Sequence, residues 1–293
     1  MKRKDFLKIA GISALSIPMI SNKLKDLRPT YRKTKRMPVL FLGHGSPMNG
    51  IEENEFVQGF KKQGKLLDRP SAIIVVSAHW ETKGTFVTAM QQPKTIHDFG
   101  GFPKELYEVQ YPAPGYPELA KQIAGLVQPK DTVHLDHKWG LDHGSWTVVK
   151  HLFPKADVPV IQLSIDYTKS PKYHYLLARQ LKKLRDKGVL IIGSGNIVHN
   201  LRRIAWNKLS ENYAYDWAIE ANNKMKQWIL DDNHQELIDF RKQGKAFDLA
   251  IPTPEHYLPL LYTLGLKDKE DKTLIFNDQP VAGSLTMTSV KFG

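Results

Sequence analysis

Ala72-Ile73-Ile74-Val75-Val76-Ser77-Ala78-His79-Trp80 decides the fold class. Its first six residues form a compact run of aliphatic and β-branched side chains with no polar alternation, the pattern of a strand buried on both faces. Pro38–Leu42 (PVLFL), Val158–Ile165 and Val189–Ile192 read the same way, the first followed by Gly43 and the last set between Gly188 and Gly193. Between these runs, Glu55–Leu67, Pro117–Val127, Pro171–Lys187 and Tyr213–Leu230 carry apolar residues at three- and four-residue spacing, which predicts helices. Strand and helix in alternation predict an α/β domain with a largely parallel central sheet flanked by helices. Ser284–Phe292 is expected as a last strand, with an antiparallel place at an edge as one option. No internal repeat is visible, and residues 37–293 are taken as one domain.

The 293-residue chain has no cysteine, which excludes disulfides, thiolate metal sites and thiol nucleophiles. Histidine and carboxylate are left as the strong metal ligands, and there are eleven histidines. A formal charge of +12 suggests nucleic acid only until it is located. Residues 1–36 hold eleven Lys or Arg against Asp5 and Asp26, a net of +9 that leaves about +3 for residues 37–293. A nucleic-acid binder needs its basic face on the folded body, so that class is set aside.

The leader has its own pattern. Lys2-Arg3-Lys4-Asp5-Phe6-Leu7-Lys8 precedes the short apolar stretch Ile9–Ile20, like the charged and apolar regions of a secretory signal. It is similar to a twin-arginine export motif with Lys4 in place of the second arginine, and no clear small-residue cleavage site follows Pro18. Export to the periplasm is the expectation; the alternative is a basic tail or membrane-surface anchor on a cytoplasmic protein. Residues 21–36 read as a linker, and no apolar run is long enough to span a bilayer.

Chemistry concentrates where the strands end. His44 follows Pro38–Leu42 inside Gly43-His44-Gly45-Ser46-Pro47-Met48, His79 ends Ala72–Ser77, and His199 follows Val189–Ile192 in Gly193-Ser194-Gly195-Asn196-Ile197-Val198-His199. Ligands of open α/β sheets gather outside the carboxyl ends of the strands, so these three histidines should face one crevice. Glycines beside them permit close backbone approach. A fourth, His256, lies in Pro252-Thr253-Pro254-Glu255-His256-Tyr257, where the prolines place Glu255 and His256 in the first turn of a helix. A single loop histidine is more often a hydrogen-bonded structural residue. Four in such positions point to a metal or acid–base site, although no local metal motif such as HExxH is present. His143, in Trp139-Gly140-Leu141-Asp142-His143-Gly144-Ser145-Trp146, reads as a glycine-bracketed turn whose Asp142 either orients the ring or closes the turn. His97, His134, His137, His151, His174 and His234 have no such context and are read as surface or core residues.

These stretches, taken with Thr95-Ile96-His97-Asp98-Phe99-Gly100-Gly101-Phe102-Pro103, Tyr111-Pro112-Ala113-Pro114-Gly115 and Pro252–Leu260, resemble the bacterial 4,5-DOPA extradiol dioxygenase family. The motifs run in family order across residues 37–293. The resemblance implies a class III, LigB-like domain that cleaves the ring of a catechol beside its hydroxyls with O₂. It implies His44, His79 and His256 as metal ligands. His199 matches a position that is a ligand in zinc-bound members and the acid–base histidine in iron enzymes. Glu255 is the rival third ligand, because the iron enzymes use a glutamate. His143 is implied as an acid–base helper, Fe(II) as the active metal, and Zn(II) as an ion the same site would accept. Trp80, Phe99, Phe102, Trp146 and Tyr257 are candidate walls for an aromatic substrate. A zinc hydrolase is the rival from another class, since a three-histidine set and a water suit it. A non-catalytic metal-binding protein of the same fold is the third.

Overall fold

A computed structural model describes residues 36–209 and 211–293. The leader therefore lies outside the described residues, apart from Arg36. Ten strands occur among the described residues: β1 Val39–Gly43, β2 Ala72–Thr82, β3 Thr85–Thr88, β4 Val133–Asp136, β5 Val160–Asp166, β6 Val189–Gly195, β7 Thr273–Phe276, β8 Pro280–Val281, β9 Leu285–Thr286 and β10 Ser289–Phe292. Eight form one sheet in the order β4-β3-β5-β2-β6-β1-β10-β7, and β8 with β9 makes a small separate hairpin. The central strands β5, β2, β6 and β1 are mutually parallel, as the apolar runs predict.

Both faces of those strands are covered, which is why their sequences do not alternate with polar residues. Successive side chains point to opposite sides, so Val39, Phe41, Ile74 and Val76 enter one core and Leu40, Leu42, Ile73 and Val75 the other. Helices α1 (Glu55–Leu66) and α3 (His143–Leu152) pack on the second face through Phe60, Trp146 and Val149. Helices α2 (Pro117–Val127), α4 (Pro171–Leu181), α5 (Asp216–Leu230) and α6 (Leu258–Leu266) cover the first through Leu119, Ile123, Leu177, Met225 and Leu261. Every residue of α6 is buried, because it is sandwiched between α4 and β6.

The chain departs from expectation at several ends. The antiparallel last strand is β10, but it is internal: it pairs β1 on one side and β7 on the other, and β7 is the edge. The helix expected over Pro171–Lys187 tightens to a 3-10 turn at Lys182–Lys187 and stops at Gly188, whose φ of 77° is left-handed. The helix expected from Tyr213 starts at Asp216, because Tyr215 donates its N–H to Gly283 O and Tyr213 accepts from Gly283 N, fixing that stretch to the β8–β9 hairpin.

One buried ion pair ties the far end of the sheet. Arg185, 1% exposed, donates to Met37 O and Leu266 O, each at 2.8 Å, and to both oxygens of Asp271. Asp271→Ala leaves that guanidinium buried with its charge uncompensated and should destabilise the protein by about 3–5 kcal/mol. Urea unfolding measures this; a midpoint equal to that of the wild type would show that water replaces the carboxylate.

Candidate metal centre

Strands β2, β6 and β1 are neighbours, and their carboxyl ends deliver His79, His199 and His44 to one place. His44 directly follows β1, its N–H donating to Gly195 O at 3.1 Å. Gly45 then turns the chain with φ of 63°. His79 does not end its strand: β2 continues to Thr82, and its register against β5 shifts between Val76 and Glu81, an irregularity that carries His79. His256 lies in the turn that precedes α6 rather than in its first turn, since the helix begins at Leu258. That turn rests on the end of β6, where Asn196 N donates to His256 O at 2.9 Å. A Cβ on Gly195 would come within 2.1 Å of the same carbonyl, so only glycine admits the contact.

The rings of His44, His79 and His256 surround one point, with centroids 5.0–5.2 Å apart. Each has its Nδ1 turned outward to a protein group. Ser194 Oγ donates its only proton to Gly144 O, so it accepts from His44 Nδ1–H at 3.0 Å. His256 Nδ1 lies 3.3 Å from Glu255 Oε1, and His79 Nδ1 lies 3.5 Å from Asp98 Oδ2. Protons held at Nδ1 leave the Nε2 lone pairs facing inward, and those of His44 and His79 stand 3.1 Å apart. Two lone pairs so placed repel unless a cation lies between them. Nitrogens about 3.3 Å apart are what tetrahedral bonds of about 2.0–2.1 Å produce. The residues therefore fit a metal ion: His44, His79 and His256 bring ligand atoms within 4.8 Å of one another, as do His79, Asp98 and His143, and His199, Glu255 and His256.

His199 stacks face to face on His256, with centroids 3.5 Å apart and planes 7° from parallel. It groups with Glu255 and His256 rather than with His44 and His79. His143 is the first residue of α3 rather than part of a turn, because Asp142 caps that helix by accepting Ser145 N at 3.0 Å. Asp142 is also held by Ser77 Oγ and Gln162 Nε2, and it does not orient His143. Asp98 does. Its Oδ1 accepts His143 N–H at 2.8 Å, and its Oδ2 accepts His143 Nδ1–H at 3.0 Å while facing His79. Asp98 lies inside a motif, but its position one residue from His97 carries no spacing signal that would mark this role.

Burial shapes the titration. It drives His44 and His256 well below the usual histidine range, helped by the neighbouring imidazoles, and pushes His79 down to about 3. Burial likewise takes His199 down to about 4, against the opposing pull of Glu255. Neutral imidazoles are the metal-binding form. His174, away from this cluster with Nδ1 on the Tyr262 hydroxyl, is also lowered by burial to about 4. An unfolded histidine titrates near 6.5. Between about pH 6.5 and 4 the unfolded chain therefore takes up protons that the folded chain refuses, and stability present above that window is lost as pH falls through it. Metal-free protein should show a lower urea midpoint near pH 5 than near pH 7.5; equal midpoints would contradict the burial of these rings.

Above the histidines opens a cavity of about 560 Å³. Its walls are Phe102, Leu201, Ile204, Trp206, Leu209 and Met287. Of the five aromatics expected as walls, Phe102 alone lines it. Trp80 stacks on Trp139, Trp146 donates its indole N–H to Ile96 O, Tyr257 donates to Leu237 O, and Phe99 backs His143 edge-on. Among the histidines set aside, His97 and His151 bond backbone carbonyls, and His234 bonds Tyr175.

A parallel sheet whose carboxyl ends gather neutral imidazoles beneath an apolar cavity defines an α/β protein with a metal-ready, small-molecule site. Residues 38–288 match the family described as the catalytic LigB subunit of aromatic ring-opening dioxygenase, and the chain belongs to that family. It is 46% identical over 261 residues to a protein of Escherichia coli K12 named 4,5-DOPA dioxygenase extradiol, covering 88% of this chain and 95% of the relative. A protein of the same name from Beta vulgaris is 34% identical, with 86% of this chain and 95% of the relative covered. A crystal structure of an uncharacterized Escherichia coli K12 protein superposes with a TM-score of 0.76 at 42% identity, covering 88% of this chain and all of that one.

Proposed function

We propose that this chain is an extradiol ring-cleaving dioxygenase that acts on a catechol such as DOPA, with Fe(II) held by His44, His79 and His256. The observation that carries the reading is the ring of inward Nε2 atoms, each backed by an Nδ1 partner, beneath an apolar cavity. Iron bound there would bring the two catechol oxygens and dioxygen together and ease deprotonation of the phenol. The chain's own residues do the rest. Apolar walls hold the aromatic ring and exclude water. His199, neutral at pH 7 and stacked beside His256, takes a phenolic proton and later returns one. His143, its Nδ1–H fixed by Asp98, presents Nε2 to the cavity as a second acid–base group. Glu255 serves behind His256, holding its Nδ1–H, in place of binding the metal.

The test is anaerobic loading of the full chain with Fe(II), followed by DOPA and air. The reading expects a yellow ring-cleavage product with matching oxygen uptake, and none from the zinc-loaded protein. No oxygen uptake across DOPA and several simpler catechols, from protein shown to hold iron, would end it.

A further inference from the structure

We propose that the cavity selects a catechol carrying an uncharged, apolar substituent over one carrying the zwitterionic head of an amino acid. This rests on the catechol reading above and names the substrate within that class.

Three observations support it. First, the cavity is larger than a ring-binding slot. At about 560 Å³ it falls within the ~300–1,000 Å³ of sites that enclose a whole small molecule, so space remains beyond a ring seated on the histidines. Second, that space is apolar. Among the described residues that line it there is no Lys, Arg, Asp or Glu, and Ser46 is the one hydroxyl. The two carboxylates nearest the histidines are engaged, Asp98 with His143 and Glu255 with His256 and Thr253. An ammonium and a carboxylate carried into these walls would exchange water for hydrocarbon without a partner. Third, the rim is apolar where solvent should make it polar. Leu201, Trp206 and Leu209 are 58%, 73% and 54% exposed, and all three line the mouth. They lie on the stretch just after His199, so their apolar faces stand beside the reacting end. A substituent projecting from the ring would cover them. Arg202, Arg203 and Lys208 share this stretch without lining the cavity, and Lys208 is paired with Glu211. An anionic substituent that reached past the rim would meet Arg202 or Arg203, so the test includes one.

The experiment uses the full chain. Zinc-loaded protein is titrated anaerobically by calorimetry with catechol, butyl-substituted catechol, dopamine, dihydroxyphenylpropionate and DOPA. The iron-loaded protein is then assayed for oxygen uptake with the same five. Each buried methylene should tighten binding up to about fourfold, so the butyl compound should bind far better than catechol. It should also bind at least about tenfold tighter than DOPA and show the lowest KM. Trp206→Ser should weaken the butyl compound by about fivefold or more, and it should narrow its advantage over catechol. DOPA or the propionate as the tightest ligand, or affinity independent of substituent length, overturns the inference. So does a Trp206→Ser protein whose affinities are unchanged while its mass in solution falls, since the rim would then be a contact between copies. Oxygen uptake with DOPA but no gain from the alkyl chain sinks this inference alone. Absence of uptake with all five sinks the catechol reading itself.

Discussion

With His79 replaced by alanine, the protein should retain its far-ultraviolet circular dichroism, hold no stoichiometric metal and lose ring cleavage by at least about 10³-fold. The size follows from what a bound metal supplies to such a reaction, several kcal/mol at 1.36 kcal/mol per factor of ten. His79 is the ring whose Nε2 faces His44 Nε2 at 3.1 Å, so its removal takes one of three converging donors from the centre. The fold should survive because this side chain is 20% exposed and stands in the irregular part of β2, where no cross-strand ladder depends on it. Metal content by plasma emission and oxygen uptake are the two readouts. Full metal occupancy in the variant would remove His79 from the ligand set.

Asp98→Asn should keep the metal and cost about 10- to 100-fold in kcat with little change in KM, as losses of groups that orient metal-site residues do. The wild-type carboxylate only accepts, which fixes the proton of His143 on Nδ1. A carboxamide that keeps its oxygen on His143 N–H places its NH₂ opposite Nδ1. The imidazole proton must then move to Nε2, the atom that would have accepted from substrate. The pH–rate profile should change shape with it, which a merely structural carboxylate would not cause. Burial lifts the Asp98 carboxyl and its bonds to His143 more than reverse that, so it is held below the usual carboxylate range. Unchanged kcat and an unchanged profile would show that Asp98 positions nothing.

The sheet and the histidine cluster were legible because both are written in local sequence. Short aliphatic, β-branched runs such as Val189–Ile192, closed by glycines, read as strands covered on both faces, and His44, His79 and His199 follow the ends of three of them. What was missed depends on tertiary contact. Thr85–Thr88 and Val133–Asp136 are only four residues each, too short to stand out as apolar runs, yet the first joins the sheet beside β5 and the second forms its edge beside β3. The start of α3 hides behind Gly144, whose lack of a side chain is required by packing: a Cβ there would lie 2.5 Å from Ser77 Oγ and 2.8 Å from His79 Cδ2. The cavity walls were misjudged for the opposite reason. Trp146 and Tyr257 sit beside motif residues in sequence but point into the cores, and Trp80 stacks on Trp139, while Trp206 and Leu209 reach the site from a stretch with no motif at all.

The internal place of β10 bears on how the chain must be assembled. Gly43 N donates to Ser289 Oγ across 246 residues, and β10 fills the slot between β1 and β7. Until that segment docks, β1 presents an unpaired row of backbone groups on a strand whose five residues are all destined for burial. Pairing this remote in sequence is slow, because the loop must close before any contact rewards it. A partly folded chain thus carries a sticky edge on the very strand that leads to His44, open to association with other copies until β10 has docked.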